Sequence, residues 1–241
     1  MFHPMKVLGA AVLAAGVSTA ASAATLDFTD LDTYGAGTTS TEAKGKFHGV
    51  NWTLTAAPAG QYLSYNFGPS APAPFQQADD GYDGKTVPND ALAFEGDGVG
   101  TYRYARSPDD EVQVERGEEL LLTFDQALTF TGFHALDLFK ANASDMDPES
   151  MLVYDAVSGS LIAELMGTDI KSQNVIGGYV FGTGTFTTTA LRLVPGVGND
   201  DRTGDFALAG LDVAPIPLPA AGVMLLTALG GIGLTRLRRK A

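Results

Sequence analysis

From residue 50 to residue 213 the chain returns repeatedly to one pattern: apolar and polar side chains alternating with a period of two. Val50, Trp52 and Leu54 alternate with Asn51, Thr53 and Thr55, and Leu63, Tyr65 and Phe67 with Ser64 and Asn66. Leu120, Leu122 and Phe124 share one face, and Leu128 and Phe130 form another. Residues 133–138, 151–154, 161–165, 175–181, 191–194 and 206–213 continue the series. Successive side chains of an extended chain point to opposite sides, so this pattern predicts strands with one buried face. No stretch of the domain keeps a 3.6-residue period for three turns, which excludes long amphipathic helices as its framework.

Turn chemistry separates these runs. Asp155-Ala156-Val157-Ser158-Gly159 reads as a hairpin loop, and Gly96-Asp97-Gly98, Gly177-Gly178 and Gly196-Val197-Gly198-Asn199 read as further breaks. Residues 56–60, 68–85 and 195–205 are irregular in composition. Roughly a dozen short strands at this spacing predict an all-β fold, and the length favours a two-sheet, jelly-roll-like sandwich. Patterning equally allows a closed barrel. No internal repeat is visible.

Both ends depart from the pattern. Lys6 precedes an apolar run, residues 7–17, and Ala21-Ser22-Ala23 then places small residues where a signal peptidase reads them. Residues 1–23 therefore read as a secretory signal cut between Ala23 and Ala24, with Met5-Lys6 as an alternative start. At the other end, residues 220–235 are apolar from Ala220 to Leu234, and residues 236–241 hold Arg236, Arg238, Arg239 and Lys240. Fifteen helical residues span about 22 Å against a hydrocarbon core of about 30 Å, a marginal crossing that snorkelling Arg side chains extend. The basic cluster predicts a cytoplasmic tail and an exported domain, the same topology the leading segment gives. Residues 24–213 remain as the β domain, and residues 214–219, with three prolines, as a stiff extended linker.

Charge and cysteine content narrow the function. All 28 acidic residues lie between the two terminal segments, with ten of the 15 basic ones, leaving a net charge of −18 there. Such a field repels nucleic acid and anionic lipid and attracts cations, so no nucleic-acid partner is expected. The absence of cysteine excludes disulfides, thiolate catalysis and iron–sulfur or zinc–thiolate sites.

The C-terminal series runs from the linker residues Pro215-Ile216-Pro217-Leu218-Pro219-Ala220-Ala221 through the glycine-bearing apolar run to Arg236-Leu237-Arg238-Arg239-Lys240. It resembles a VPLPA-CTERM sorting domain, a variant of the PEP-CTERM signal. Ile216 stands where that motif has Val, while Leu218, Pro219 and Ala220 fit directly. The resemblance covers roughly the last 27 residues. It implies an exosortase-type transpeptidase as partner, a precursor anchored in the membrane by its C-terminal helix, and delivery to the cell envelope or exopolysaccharide matrix. Prolines suit such a site, because they hold an extended, helix-free segment outside the bilayer. The runs at 120–124 and 129–133, and a last strand ending Leu211-Asp212-Val213, are similar to exported domains of this kind, and name no activity.

Within the domain, His48 and His134 both sit in strand patterns, and no Gly-x-Ser-x-Gly elbow is present, so no catalytic residue is assigned. No acidic pair is singled out for glycosidase chemistry. Oxygen-rich loops at Asp79, Asp80 and Asp83, at Asn199, Asp200, Asp201 and Asp205, and above all at Asn142, Asp145, Asp147 and Glu149 are calcium candidates, against the plainer reading of solvated acidic loops. No other cofactor is expected. Tyr102 with Tyr104, and Tyr62, Phe75 and Tyr82, are the aromatics a carbohydrate site would use, whereas Trp52, Tyr65 and Phe67 read as core. The expected function is thus a non-catalytic envelope or matrix protein. An exopolysaccharide-binding module is the alternative, and a hydrolase the weaker third.

Overall fold

The computed structural model describes residues 23–34, 41–59, 61–67, 92–93, 96–102, 112, 117–140, 148–170, 178–196 and 205–214. The signal segment up to Ser22, the loop residues Asn142, Asp145 and Asp147, the motif from Pro215 and the tail lie outside them. The described residues are all-β, with one turn of helix among them, α1 (Leu31–Tyr34). The strands are β1 (Ala24–Asp27), β2 (Glu42–Phe47), β3 (Val50–Ala57), β4 (Tyr62–Phe67), β5 (Gly96–Tyr102), β6 (Glu119–Leu136), β7 (Phe139–Lys140), β8 (Ser150–Asp155), β9 (Leu161–Met166), β10 (Asp169–Ile170), β11 (Val180–Pro195) and β12 (Ala207–Val213). Among the described residues no helix is long and apolar enough to cross a membrane.

Ten strands form one hydrogen-bonded sheet in the order β4-β5-β12-β6-β11-β8-β9. β3 adds to β6 and carries β2, and β1 adds to β12. Every pairing in this sheet is antiparallel, while β7 and β10 make a separate two-residue parallel pair.

The framework is the long antiparallel pair of β6 and β11. Sequence patterning divides β6 into separate runs at 120–124, 128–130 and 133–138 and β11 into runs at 175–181 and 191–194, and the structure joins them. Along β6 the alternation breaks at Asp125, Gln126 and Ala127, all three exposed. There the register with β11 jumps from Leu128↔Thr188 to Thr123↔Ala190, so β6 carries residues that β11 does not match. Extra residues in one strand of a pair bend it without ending it. The two halves of β6 then pair differently on their other side, Glu119–Phe124 with β3 and the stretch from Phe130 with β12. Leu128 and Phe130 consequently face the same core as Leu120, Leu122 and Phe124, correcting the two-face reading, and the Phe124 and Phe130 rings lie 5.4 Å apart.

That core takes side chains from both halves of the sheet: Trp52 and Leu54 from β3, Leu120 and Leu122 from β6, Leu191 and Leu193 from β11, Leu208 and Leu211 from β12, all buried. Phe28, just after β1, meets Trp52 edge-on at 5.9 Å. A smaller cluster of Leu92, Leu136, Tyr179, Ala207 and Ala209 stands apart from it.

Four further expectations change. Gly96 and Gly98 lie inside β5, not at a break. Gly98 has φ +93, and a Cβ there would lie 2.6 Å from the Leu208 carbonyl oxygen, so glycine is what lets β5 approach β12 this closely. Ala56 and Ala57 belong to β3, which ends before the cis Ala57–Pro58 bond. The strand expected from residue 175 begins at Val180 in the described residues. His48 belongs to no strand: His48 and Gly49, at φ 47 and 91, make the two-residue turn between β2 and β3. Two positive φ values are what a tight hairpin with right-handed twist requires.

Candidate functional site

Three strands meet around His134. It lies on β6 beside Gly210 of β12 and Phe181 of β11. The adjacent row is Asp212, Gly132 and Thr183. Gly132 leaves room that neighbours occupy: a Cβ there would lie 2.6 Å from the Phe181 ring and 2.7 Å from an Asp212 carboxylate oxygen. Phe181 can therefore lean over His134, with ring centroids 4.7 Å apart and an interplanar angle of 29°.

The polar atoms of the cluster form a chain. Nδ1 of His134 is 2.8 Å from the Tyr179 hydroxyl. Nε2 is 3.2 Å from Oδ1 of Asp212. The same Oδ1 accepts the Thr25 hydroxyl from β1 at 2.6 Å. His134 is fully buried and Tyr179 nearly so, whereas the Asp212 side chain is 20% exposed and is the solvent-facing end. Burial pulls the imidazole below its ordinary value of 6.5, opposed by the hydrogen-bonding and charge of Asp212 and by the charge of Asp27. The chain thus fastens β1, β12, β6 and the start of β11. It offers His134 no exposed face to a substrate.

Beside it, Asp27 is committed to local structure. Its Oδ1 accepts the amide and hydroxyl of Thr29, and its Oδ2 accepts the Ala93 amide at 2.6 Å, which ties the segment at Leu92 and Ala93 to β1. An open cleft of about 410 Å³ is lined by residues of β1, α1, β2 and β3, Thr25 and Asp27 among them. Asp30, Asp32, Thr33 and Lys46 give it polar walls, and Phe47 and Trp52 an apolar floor. Gly45 admits the indole, since a Cβ there would collide with the Trp52 ring.

A buried carboxylate, Asp155, closes the β8–β9 hairpin, the loop read from Asp155 to Gly159. Asp155 accepts the Thr188 hydroxyl at 2.6 Å and the amides of Val157 and Ser158 at 3.1 Å. The side chain of Ser158 first, then Thr188 and the two amides, hold its carboxyl down to about 2.

Of the calcium candidates, Glu149 is described. Its Oε2 accepts the Phe139 amide at 2.7 Å, which gives it a local task between β7 and β8. Asp205 is partly buried ahead of β12. Among the described residues no group of three or more His, Asp or Glu side chains is placed to hold a metal ion. Of the aromatics, Tyr62 is 40% exposed and Trp52 is buried. Tyr104, Phe75 and Tyr82 lie outside the described residues, as does the side chain of Tyr102. Ala23 is exposed and Ala24 opens β1. Sequence patterning missed β1 and the cluster around His134. The one sign of the cluster was a histidine, His134, in a mostly apolar run, residues 133–138, that Asp137 also interrupts.

No family model matches the chain, and comparison with curated proteins gives no match.

Proposed function

We propose that the chain is an exported, non-catalytic envelope or matrix protein, cut after Ala23 and sorted at residues 215–220 by an exosortase-type transpeptidase. The reading rests on the ordered C-terminal series of Pro motif, apolar segment and basic tail, resembling a VPLPA-CTERM signal. One structural observation supports it. Ala24 pairs with Val213, so the two ends of the β domain sit side by side on neighbouring strands. Both flanking segments therefore leave the domain at one place, an arrangement compatible with their entering one membrane. The bent β6–β11 framework around a shared core supports a two-sheet, jelly-roll-like sandwich as the architecture.

Intact mass and peptide mapping of the surface-associated protein test the sorting reading, in cells with and without the exosortase. A form running from Ala24 to near Pro219 only when the enzyme is present is the expected result. A form keeping Arg236–Lys240 in both strains rejects it.

The cleft beside β1 favours a second reading, an exopolysaccharide-binding module. Carboxylates and a lysine above an apolar floor suit a sugar's hydroxyls and its apolar face. Calorimetric titration of the domain with the host's purified exopolysaccharide tests this, using Asp30→Ala/Asp32→Ala as the comparison. Equal heats from both proteins reject the cleft.

A further inference from the structure

β1 is four residues long and pairs with the last four residues of β12: Ala24↔Val213, Thr25↔Asp212, Leu26↔Leu211 and Asp27↔Gly210. β12 pairs with β6 over the same stretch on its other side, and beyond it the Ala214 amide donates to the Thr129 carbonyl at 2.7 Å. β1 is held by more than its ladder. Leu26 and Phe28 are buried in the core, the Phe28 amide donates to the Ala209 carbonyl at 2.8 Å, and Thr25 bonds to Asp212. Residues 210–214 are thereby pinned, one residue short of Pro215.

Peptidases bind their substrates as extended strands, through main-chain hydrogen bonds and over several residues upstream of the bond they cut. Main-chain groups committed to β1 and β6 cannot serve a peptidase as well. We infer that β1 is a clasp on the C-terminal strand and sets the upstream limit of C-terminal processing: with β1 docked, trimming from the C-terminus stops at or beyond Ala214. Without β1, the outer edge of residues 210–213 is open and the end of β12 frays. The reaction concerned breaks one backbone amide. The upstream carbonyl carbon goes to water or to an acceptor amine, and the downstream piece leaves with a free amino group. Part of the inference rests on the sorting reading, since it limits where that cut falls.

The absence of native cysteine allows a direct test in the chain purified from Ala24 to Ala241. Thr25→Cys with Asp212→Cys joins β1 to β12 by one disulfide. Proteinase K is the probe, and intact mass reads the remaining C-terminus. The oxidised protein should stop at or beyond Ala214. The reduced protein, and a Leu26→Asp variant that cannot bury β1, should be trimmed into residues 210–213 at least tenfold faster. Equal end points and rates in the oxidised, reduced and Leu26→Asp proteins overturn the clasp, as does C-terminal trimming into residues 210–213 in the oxidised form. In cells, a mature C-terminus upstream of Ala214 overturns it too. Absence of C-terminal processing in cells rejects the sorting reading alone, because the proteinase K result still decides the clasp.

Discussion

His134 has Phe181 and Tyr179 stacked near it and the Asp212 carboxylate at its edge, an enclosure in which the neutral ring is favoured. Once the pH drops through 6.5, the unfolded chain takes up a proton that the folded chain resists, so stability falls with pH from there. The urea midpoint of the domain should decline between pH 7.5 and 5.5, and His134→Gln should flatten that decline. An unchanged slope in the variant would show that the ring is not the source. Asp155 works in the opposite chemical sense. Its carboxyl is held down to about 2, below the ordinary 3.8, by Ser158, Thr188 and two amides. The stabilisation is fully present above 3.8 and is lost as pH falls through 2. Asp155→Asn should lower the melting temperature at pH 7, and the difference from the parent protein should shrink as the pH falls from 3.8 through 2, because the carboxyl progressively takes up a proton.

β1 is four residues long and leads directly into the core. Phe28 comes directly after it, packs against Trp52 and is 2% exposed. Phe28→Ala should cost about 4 kcal/mol in urea unfolding. A cost near 1 kcal/mol would mean that the surrounding side chains close over the gap. β5 depends on backbone clearance instead. Gly98→Ala places a Cβ against the Leu208 carbonyl at a left-handed φ and should cost about 2 kcal/mol or more. Gly49→Ala meets no neighbour and bears only the φ strain, so it should cost less than Gly98→Ala. These elements differ in how far the sequence reveals them. β2 shows alternation in Glu42, Lys44 and Lys46, exposed while the residues between them are half-buried, yet it lacks the apolar run that marks a strand at first reading. β1 is too short for any period. Gly98 reads as a break because glycine in sequence marks either a turn or a close approach, and only the position of Leu208 separates the two.

At the scale of the molecule, charge dominates. A net −18 between the terminal segments repels itself, and salt screens that repulsion over about 10 Å at 0.1 M. The urea midpoint of the domain should therefore rise between 0.02 M and 0.3 M sodium chloride, and a flat response would mean that local pairs offset the field. The sequence alone determined the all-β class, the exclusion of thiol and disulfide chemistry, the acidic character and the layout of terminal segments from which export is read. All of these are properties of composition or of short-range periodicity, which no folding step rearranges. The tertiary structure decided what depends on contacts distant in sequence. It bent β6 so that separate runs became one strand, set Thr25 on Asp212 and both near His134, and laid Ala24 beside Val213. Register and closure arise where strands far apart in the chain meet, and a period read along one strand carries no information about its partner.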